Sequence, residues 1–339
     1  MKYKSVIATQ RGGPEVLHII ENDLRAPVAG EARIRVLATA VGRTDVFYRY
    51  GTSPFSPKVP FVPGYEIMGV VDALGPKRAS GEEATRFAVG DRVAALTGSG
   101  GYAEMIYLGQ EHLVPVPQTL APADVVTLIL NYVTAYQMLH RVAKVKGGDK
   151  ALMIGASGGV GLALLQLGKL ADLKLYGTAS PSKHKALTEL GAIPIDYHIQ
   201  DIVDVIRQAE PQGLDFVFDG MGGEYSDRGL AVLRRGGKLI SYAPPTGLGA
   251  LLVGVAKLAF VNLMPNGKSV ESYGISALYL RDKRPFMEDL PRLFKLLEDG
   301  QIKPAIAQRF PLLEAAKANA LLEGGQVIGN LVLLAPELL

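Results

Sequence analysis

The sequence predicts an α/β protein in which a doubly wound parallel sheet is inserted into a β-rich domain. Three observations carry this. The first 120 residues are short apolar runs cut by Gly, Pro and Asp; strand–helix–strand units follow from about residue 150; and the chain closes on another strand-like run, VIGNLVLL. A chain of 339 residues exceeds one ordinary core, so two domains of about 100–200 residues each are the default. The β-rich start and the mixed tail bracket the αβ core. The predicted division is therefore 1–122 plus 265–339 for the β-rich domain and 123–264 for the core.

In the first part the runs VIAT, ARIRVLATAVG, IMGVVDALG, DRVAAL and AEMIYL read as strands, with hardly any helix signal. Val89-Gly90-Asp91 gives a turn into a strand, and Gly98–Gly101 a flexible connection. Beyond Pro115, Pro117 and Pro122, apolar residues at helical spacing run from Ala123 to Val145 and stop at Lys146-Gly-Gly-Asp149. Then come strand ALMIG, a glycine turn opening a helix, and strand LKLYGTA, a βαβ unit that implies a parallel sheet. Helices at 183–190 and 202–209, strand LDFVFDG, a helix through Leu233 and strand GKLISYA extend it. The tail adds YGISALYL, read as a strand, and an amphipathic helix over 286–298.

Composition narrows the function. A chain 48% hydrophobic and 20% charged has a real core, which argues against disorder. Net charge is +3 with Lys and Arg scattered, so no basic face exists to neutralise nucleic-acid phosphates. No cysteine is present, which excludes disulfides, thiolate metal ligands, iron–sulfur clusters and a cysteine nucleophile. The opening MKYKSVIATQ has no signal-peptide pattern, so a cytoplasmic location is expected. The apolar stretch Leu248–Met264 is shorter than the roughly 20 residues a spanning helix needs and contains Lys257, so a buried or lid helix is expected rather than membrane contact.

The chemistry concentrates in Gly155-Ala-Ser157-Gly158-Gly159-Val160-Gly161, between a predicted strand and a helix. Glycines there let the backbone approach a pyrophosphate, and the free N–H groups of the helix end favour the anion. A site preferring NAD would place Asp or Glu about 20 residues further on to hold the ribose 2′-hydroxyl. Here that region reads Tyr176-Gly-Thr178-Ala-Ser180-Pro-Ser-Lys183-His-Lys, with no acid. The Ser180 hydroxyl and Lys183 ammonium suit a 2′-phosphate, which predicts NADPH, although Ser180-Pro181 also reads as an N-cap and first helical turn.

The layout resembles the medium-chain dehydrogenase/reductase superfamily, in which a Rossmann domain is inserted into a chaperonin-10-like catalytic domain. The likeness rests on GRTD at 42–45, PGYE at 63–66, VGDRV at 89–93, NYVTAY at 131–136, SGGVG at 157–161 and the closing GNLVLL. Within the superfamily the chain looks like the zinc-free NADPH:quinone oxidoreductases, and NYVTAY, GTASPSKHKAL and PIDYH resemble the branch of the synaptic-vesicle amine transport protein homologues. The resemblance implies that Ser157, Gly158, Gly159 and Val160 bind pyrophosphate, that Ser180 and Lys183 hold the 2′-phosphate and that Thr178 belongs to the cofactor site. It implies that Tyr197 packs at the adenosine end and that Asp219, Gly220, Met221, Ser241, Tyr242 and Ala243 border the ribose and nicotinamide. Asn131 and Thr134 would face the cleft, and Asn330 stands where a lysine is frequent. Gly42 stands where an asparagine is common in quinone reductases.

Zinc enzymes of this fold place a cysteine near position 42 and a histidine in a Gly-His-Glu triplet. Gly42 and Tyr65 occupy these positions, and His18, His112, His140, His184 and His198 show no ligand spacing, so no zinc is expected. Without a Lewis acid, alcohol oxidation is disfavoured. The resemblance implies hydride transfer to a small hydrophobic quinone or enone, with water, Tyr48, Tyr65 or Tyr132 as proton donor. The alternative is a membrane-associated, vesicle-type binding protein that keeps the nucleotide site and catalyses little. A homodimer is expected, with YGISALYL as the pairing edge.

Overall fold

The computed structural model describes residues 1–77, 86–243 and 247–339 and divides into two units, Met1–Leu130 with Lys283–Leu339, and Asn131–Asp282. In the first unit β1 (Lys2–Ala8) pairs antiparallel with β2 (Leu17–Asp23). The long β3 (Glu31–Val41) pairs antiparallel with β4 (Glu66–Leu74) and, along its first half, with β6 (Met105–Gly109). Strands β5 (Arg92–Leu96) and β7 (Val114–Pro115) continue beyond β4. Between β3 and β4 runs α1 (Arg43–Tyr50), which the periodicity of the sequence does not predict. Its buried residues are Asp45 and Arg49, so the inward face is polar and an apolar stripe never forms.

From α2 (Pro122–Thr127) the chain continues through a π-type turn at Leu128–Tyr132, α3 (Val133–Gln137) and a second π-type turn at Met138–Ala143. The second unit then alternates β8 (Lys150–Ile154), α4 (Gly159–Leu170), β9 (Lys174–Ala179), α5 (His184–Glu189), β10 (Ile193–Asp196), α6 (Ile202–Ala209), β11 (Leu214–Asp219), α7 (Glu224–Val232) and β12 (Leu233–Ser241). After α8 (Leu248–Leu263), β13 (Ser269–Ser272) ends the sheet. The order β10-β9-β8-β11-β12-β13 is parallel throughout, and its strands grow outward in both directions from β8, as a doubly wound sheet requires. Leu152, Ile154, Ile195, Val217 and Leu239 form its core. At the opposite end of the strands from the glycine turn, the buried Glu210 carboxylate binds Lys150 (2.5 Å), Lys174 (2.6 Å) and the Tyr176 hydroxyl (2.7 Å). The three donors hold its pKa down to about 2 against the cost of burial.

Two expectations are corrected here. YGISALYL is the helix α9 (Ile275–Arg281), begun by the Leu278 N–H bonding the Gly274 carbonyl; only Ile275 is buried, so its alternation of residue types has no sheet face to serve. The sheet edge is instead β13, and the Asn262 side chain of α8 already bonds both the N–H (2.8 Å) and the carbonyl (3.0 Å) of Val270 on it. Nor is α8 a buried helix. None of its residues is buried, and Leu252, Val253, Phe260 and Leu263 are exposed; Lys257 pairs with Asp227.

The tail re-enters the first unit through α10 (Arg284–Glu298), β14 (Ile306–Pro311), α11 (Ala315–Glu323) and β15 (Asn330–Leu334). β15 pairs antiparallel with β3 and completes the order β14-β15-β3-β4-β5-β7 around Val36, Ile67, Val93 and Leu331. The units divide after Leu130 and Asp282 rather than after 122 and 264. The later second boundary follows from β13, whose pairing with β12 ties 269–272 to the parallel sheet.

Candidate active site

In the second unit the carboxyl ends of β8, β9, β11 and β12 gather the predicted cofactor residues. Gly155 turns the chain out of β8 at φ +83°, a conformation that favours glycine. Its N–H donates to the Thr178 hydroxyl (3.0 Å), and the Ala156 N–H donates to the Thr178 carbonyl (3.1 Å). Thr178 is buried, so its side chain ties the turn to β9. A Cβ on Gly161 would lie 2.6 Å from the Ala156 carbonyl carbon, which makes this the glycine that lets helix and turn pack closely. The first bond of α4 runs from the Leu162 N–H to the Gly158 carbonyl (2.9 Å), so the amides of Gly159, Val160 and Gly161 precede the helical ladder. Beside Gly158 a Cβ would meet only the Gly155 carbonyl, at 3.8 Å, and Ser157 offers a hydroxyl next to it. A glycine cradle with helix-end amides fits a dinucleotide pyrophosphate.

Strand β9 ends at Ala179 and Ser180 caps the short turn Pro181–Lys183 in extended conformation. The Ser180 side chain makes no capping bond and lies 3.4 Å from the Ser182 hydroxyl, so the N-cap reading holds for its backbone alone. Lys183 is partly exposed in the same turn. Tyr197 follows β10, its ring 4.2 Å from His198 and 6.4 Å, edge-on, from Tyr225. Asp219 is fully buried; it accepts the N–H groups of Met221 (2.8 Å) and Gly222 (3.0 Å) and the Ser226 hydroxyl (2.5 Å). Its side chain therefore shapes the turn. Tyr242 packs over Gly220, where a Cβ would meet its hydroxyl at 2.6 Å, and burial followed by the Asp219 charge raises its pKa. Ser241 lies opposite Asp219 in the β11–β12 register and Ala243 follows two residues on. Asn131, Tyr132 and Thr134 belong to this unit too; Tyr132 and Thr134 are buried, and the Thr134 hydroxyl has no hydrogen-bond partner among the described residues. Asn330 belongs to the first unit, where its side chain donates to the Ala305 carbonyl (2.9 Å).

The first unit brings together Tyr48 on α1 and Tyr65 on the loop immediately before β4, ring centroids 5.8 Å apart. Burial raises the Tyr48 pKa, partly offset by a hydrogen bond with Tyr65. Beneath them lies a set of buried polar groups. Asp45, 3% exposed, accepts the N–H of Gly42 on Oδ2 and of Gly64 on Oδ1, each at 2.9 Å. Burial pushes it up to about 6 against these bonds, a contact with Tyr102 and the charge of Arg49. Glu66 is 2% exposed and its Oε2 has no hydrogen-bond partner among the described residues; burial, then the Asp45 charge, push its pKa well above the usual range. Asn319 of α11 donates to the Ala315 carbonyl (2.9 Å) and sits 3.4 Å from the Tyr102 hydroxyl. A Cβ at Gly42 would meet Asp45 Oδ2 at 3.7 Å and the apolar Leu130 Cδ2 at 4.0 Å. Among the described residues no three His, Cys, Asp or Glu side chains gather as a metal site.

Residues 28–118 match the alcohol dehydrogenase GroES-like domain, and 190–333 match the zinc-binding dehydrogenase domain. A human synaptic vesicle membrane protein VAT-1 homologue is 32% identical over 92% of this chain and 80% of its own length. Mouse quinone oxidoreductase is 30% identical over 95% of both chains. The chain belongs to the medium-chain dehydrogenase/reductase superfamily. Within it, it stands with the quinone oxidoreductases and the VAT-1 homologues. The Pseudomonas syringae quinone oxidoreductase superposes on this dehydrogenase/reductase with a TM-score of 0.85 at 29% identity, covering 98% of this chain and 99% of the other. A mycobacterial protein solved in complex with NADPH does so at 0.84 and 27% identity, with the same coverage.

Sequence reasoning for this dehydrogenase/reductase missed Asp45, Tyr102 and Asn319. A signal for Asp45 was present, since an acid three residues after Gly42 is the N3 position that reaches back to the backbone at a helix start. Tyr102 and Asn319 carry no such local signal, being 217 residues apart and joined only by the fold.

Proposed function

We propose that this chain is a zinc-independent reductase that passes hydride from NADPH to a quinone or an α,β-unsaturated carbonyl. The carrying observation is the acid-free end of β9, where the Ser180 hydroxyl and the Lys183 side chain share one short turn beside the glycine cradle. A carboxylate there would repel a 2′-phosphate, whereas a hydroxyl and an ammonium hydrogen-bond it. The quinone oxidoreductase relatives and the neighbour complexed with NADPH support the same reading. NADPH, when bound, supplies the hydride. The amides of Gly159, Val160 and Gly161 and the turn held by Thr178 would hold its pyrophosphate, and Asp219 keeps the neighbouring turn shaped to border it.

The acceptor also needs a proton, and Tyr48 and Tyr65 are the paired hydroxyls that would deliver it. Burial keeps the Tyr48 proton on the phenol at neutral pH, as a donor requires. Gly42, Tyr65 and Leu130 around the first-unit loop offer no thiolate or imidazole, which supports chemistry without zinc. The test is spectrophotometric NADPH oxidation with a panel of quinones and enones. Lys183→Glu should raise the KM for NADPH about 10- to 100-fold, matching the loss of a charged hydrogen bond, and leave NADH little changed. An unchanged NADPH-to-NADH preference would refute the cofactor assignment.

One observation favours a second reading: α8 exposes apolar residues and buries none. It suits a helix lying on a lipid surface, as in a vesicle-type binding protein. Tight binding to liposomes with no turnover of any acceptor would replace the reductase reading with this one.

A further inference from the structure

We propose that Asp45 is the positioning residue of the Tyr48–Tyr65 pair: one carboxylate joins the start of the helix that carries Tyr48 to the loop that carries Tyr65. The proposal rests on the reading of these tyrosines as the pair that serves the acceptor. Its geometry is two-handed. Oδ2 takes the Gly42 N–H at the head of α1, the helix that carries Tyr48, and Oδ1 takes the Gly64 N–H immediately before Tyr65. Each is a charge-assisted bond inside the protein.

The Tyr65 side of the joint is otherwise built from backbone. Gly64 sits at φ +101°, and a Cβ there would meet the Gly101 backbone at 2.6 Å. The Gly101 N–H and the Thr97 hydroxyl donate to the Gly64 carbonyl (3.0 and 2.9 Å), and the N–H groups of Thr97 and Gly98 donate to the Tyr65 carbonyl (2.9 and 3.0 Å). These bonds fix the loop to its own sheet. The two phenols share a hydrogen bond, and beneath them Asp45 bonds the backbone of the loop and of the head of α1 at once, which sets Tyr65 against Tyr48. An acid is required because both targets are N–H donors. Asn presents one oxygen and one NH₂, so whichever way its amide turns, a donor faces a donor.

The groups around Asp45 are accounted for. Arg49, on the next turn of α1, spends its guanidinium on Glu323 and the Gly12 carbonyl. Tyr102, contacting Asp45, and Asn319 form a polar lid from the loop before β6 and from α11, and Glu66 stands on β4. None of these duplicates the bridge from Gly42 to Gly64.

The experiment labels the tyrosine rings isotopically and follows the nuclear Overhauser contact between Tyr48 and Tyr65, assigned with Tyr48→Phe and Tyr65→Phe. The contact should be present in the parent protein and lost in Asp45→Asn, while the resonances of Tyr176 in the other unit stay in place. Its survival in Asp45→Asn, or its absence from the parent, would overturn the proposal. Should Asp45→Asn fail to fold, the parent is followed as pH is lowered through 6: protonation puts an O–H against one N–H, and the contact should weaken, whereas an unchanged contact overturns the proposal. With a quinone acceptor, Asp45→Asn should lower kcat about 10-fold and leave the KM for NADPH in place. A parent enzyme without NADPH oxidation would sink the reductase reading, while the ring contact would still decide the role of Asp45.

Discussion

Two buried carboxylates, Glu210 under the parallel sheet and Asp45 within the β-rich unit, are driven in opposite directions. Glu210 is held at about 2 and Asp45 is raised to about 6. Both are desolvated, so burial alone does not choose the sign. Glu210 meets two ammonium groups and a phenol, whereas Asp45 meets two backbone N–H groups, a phenol and a guanidinium whose hydrogen bonds go elsewhere. Two opposite charges in direct contact outweigh the cost of desolvation; backbone dipoles with one guanidinium engaged elsewhere do not. The first carboxylate acts as a clamp between strands, and the second joins two segments at a cost in stability.

The largest test of this contrast removes the clamp. Glu210→Gln should destabilise the protein by about 2 kcal/mol at pH 7, lowering the melting temperature by about 5 °C in calorimetry. A change below about 0.5 kcal/mol would make the cluster surface-like. Acidification should then separate the two groups. Asp45 has a folded value of about 6, above its ordinary 3.8, so its contribution is fully present below 3.8 and is lost as pH rises through 6. Glu210 has a folded value of about 2, below its ordinary 4.5, so its contribution is present above 4.5 and is lost as pH falls toward 2. Each arm should be on the order of 3 kcal/mol. Glu210→Gln should remove the acid loss and Asp45→Asn the gain between pH 6 and 4; melting curves unaltered in these windows would break the contrast. The smallest effect belongs to Tyr102→Phe. Losing the hydroxyl that favours the charged form should raise the Asp45 midpoint further, as read from its carboxyl carbon resonance.

The same contrast explains what was legible beforehand. The glycine turn could be read because two of its glycines answer backbone demands: a positive φ at Gly155, and a Cβ clash at Gly161. The doubly wound parallel sheet followed from apolar runs separated by helical ones, while its strand order came only with the structure. Helix α1 escaped notice because its buried positions are Asp45 and Arg49, and hydrophobic periodicity has no means of registering an inward polar face. YGISALYL misled for the converse reason, since alternation marks a strand only where a sheet receives it. The tyrosines could be named one by one, but their pairing depends on a carboxylate that spans two segments, and local sequence holds no trace of such a link.

Asn262 gives the exposed edge of the parallel sheet a particular character. Its amide occupies the outward N–H and carbonyl of Val270, so a strand arriving at β13 must first displace a partner that is already satisfied there. Lengthening this sheet is thus an exchange, with two hydrogen bonds broken at Val270 for two made, and the backbone alone provides little net drive. Any preference for an incoming strand would have to come from its side chains and from the apolar surface of α8 beside them.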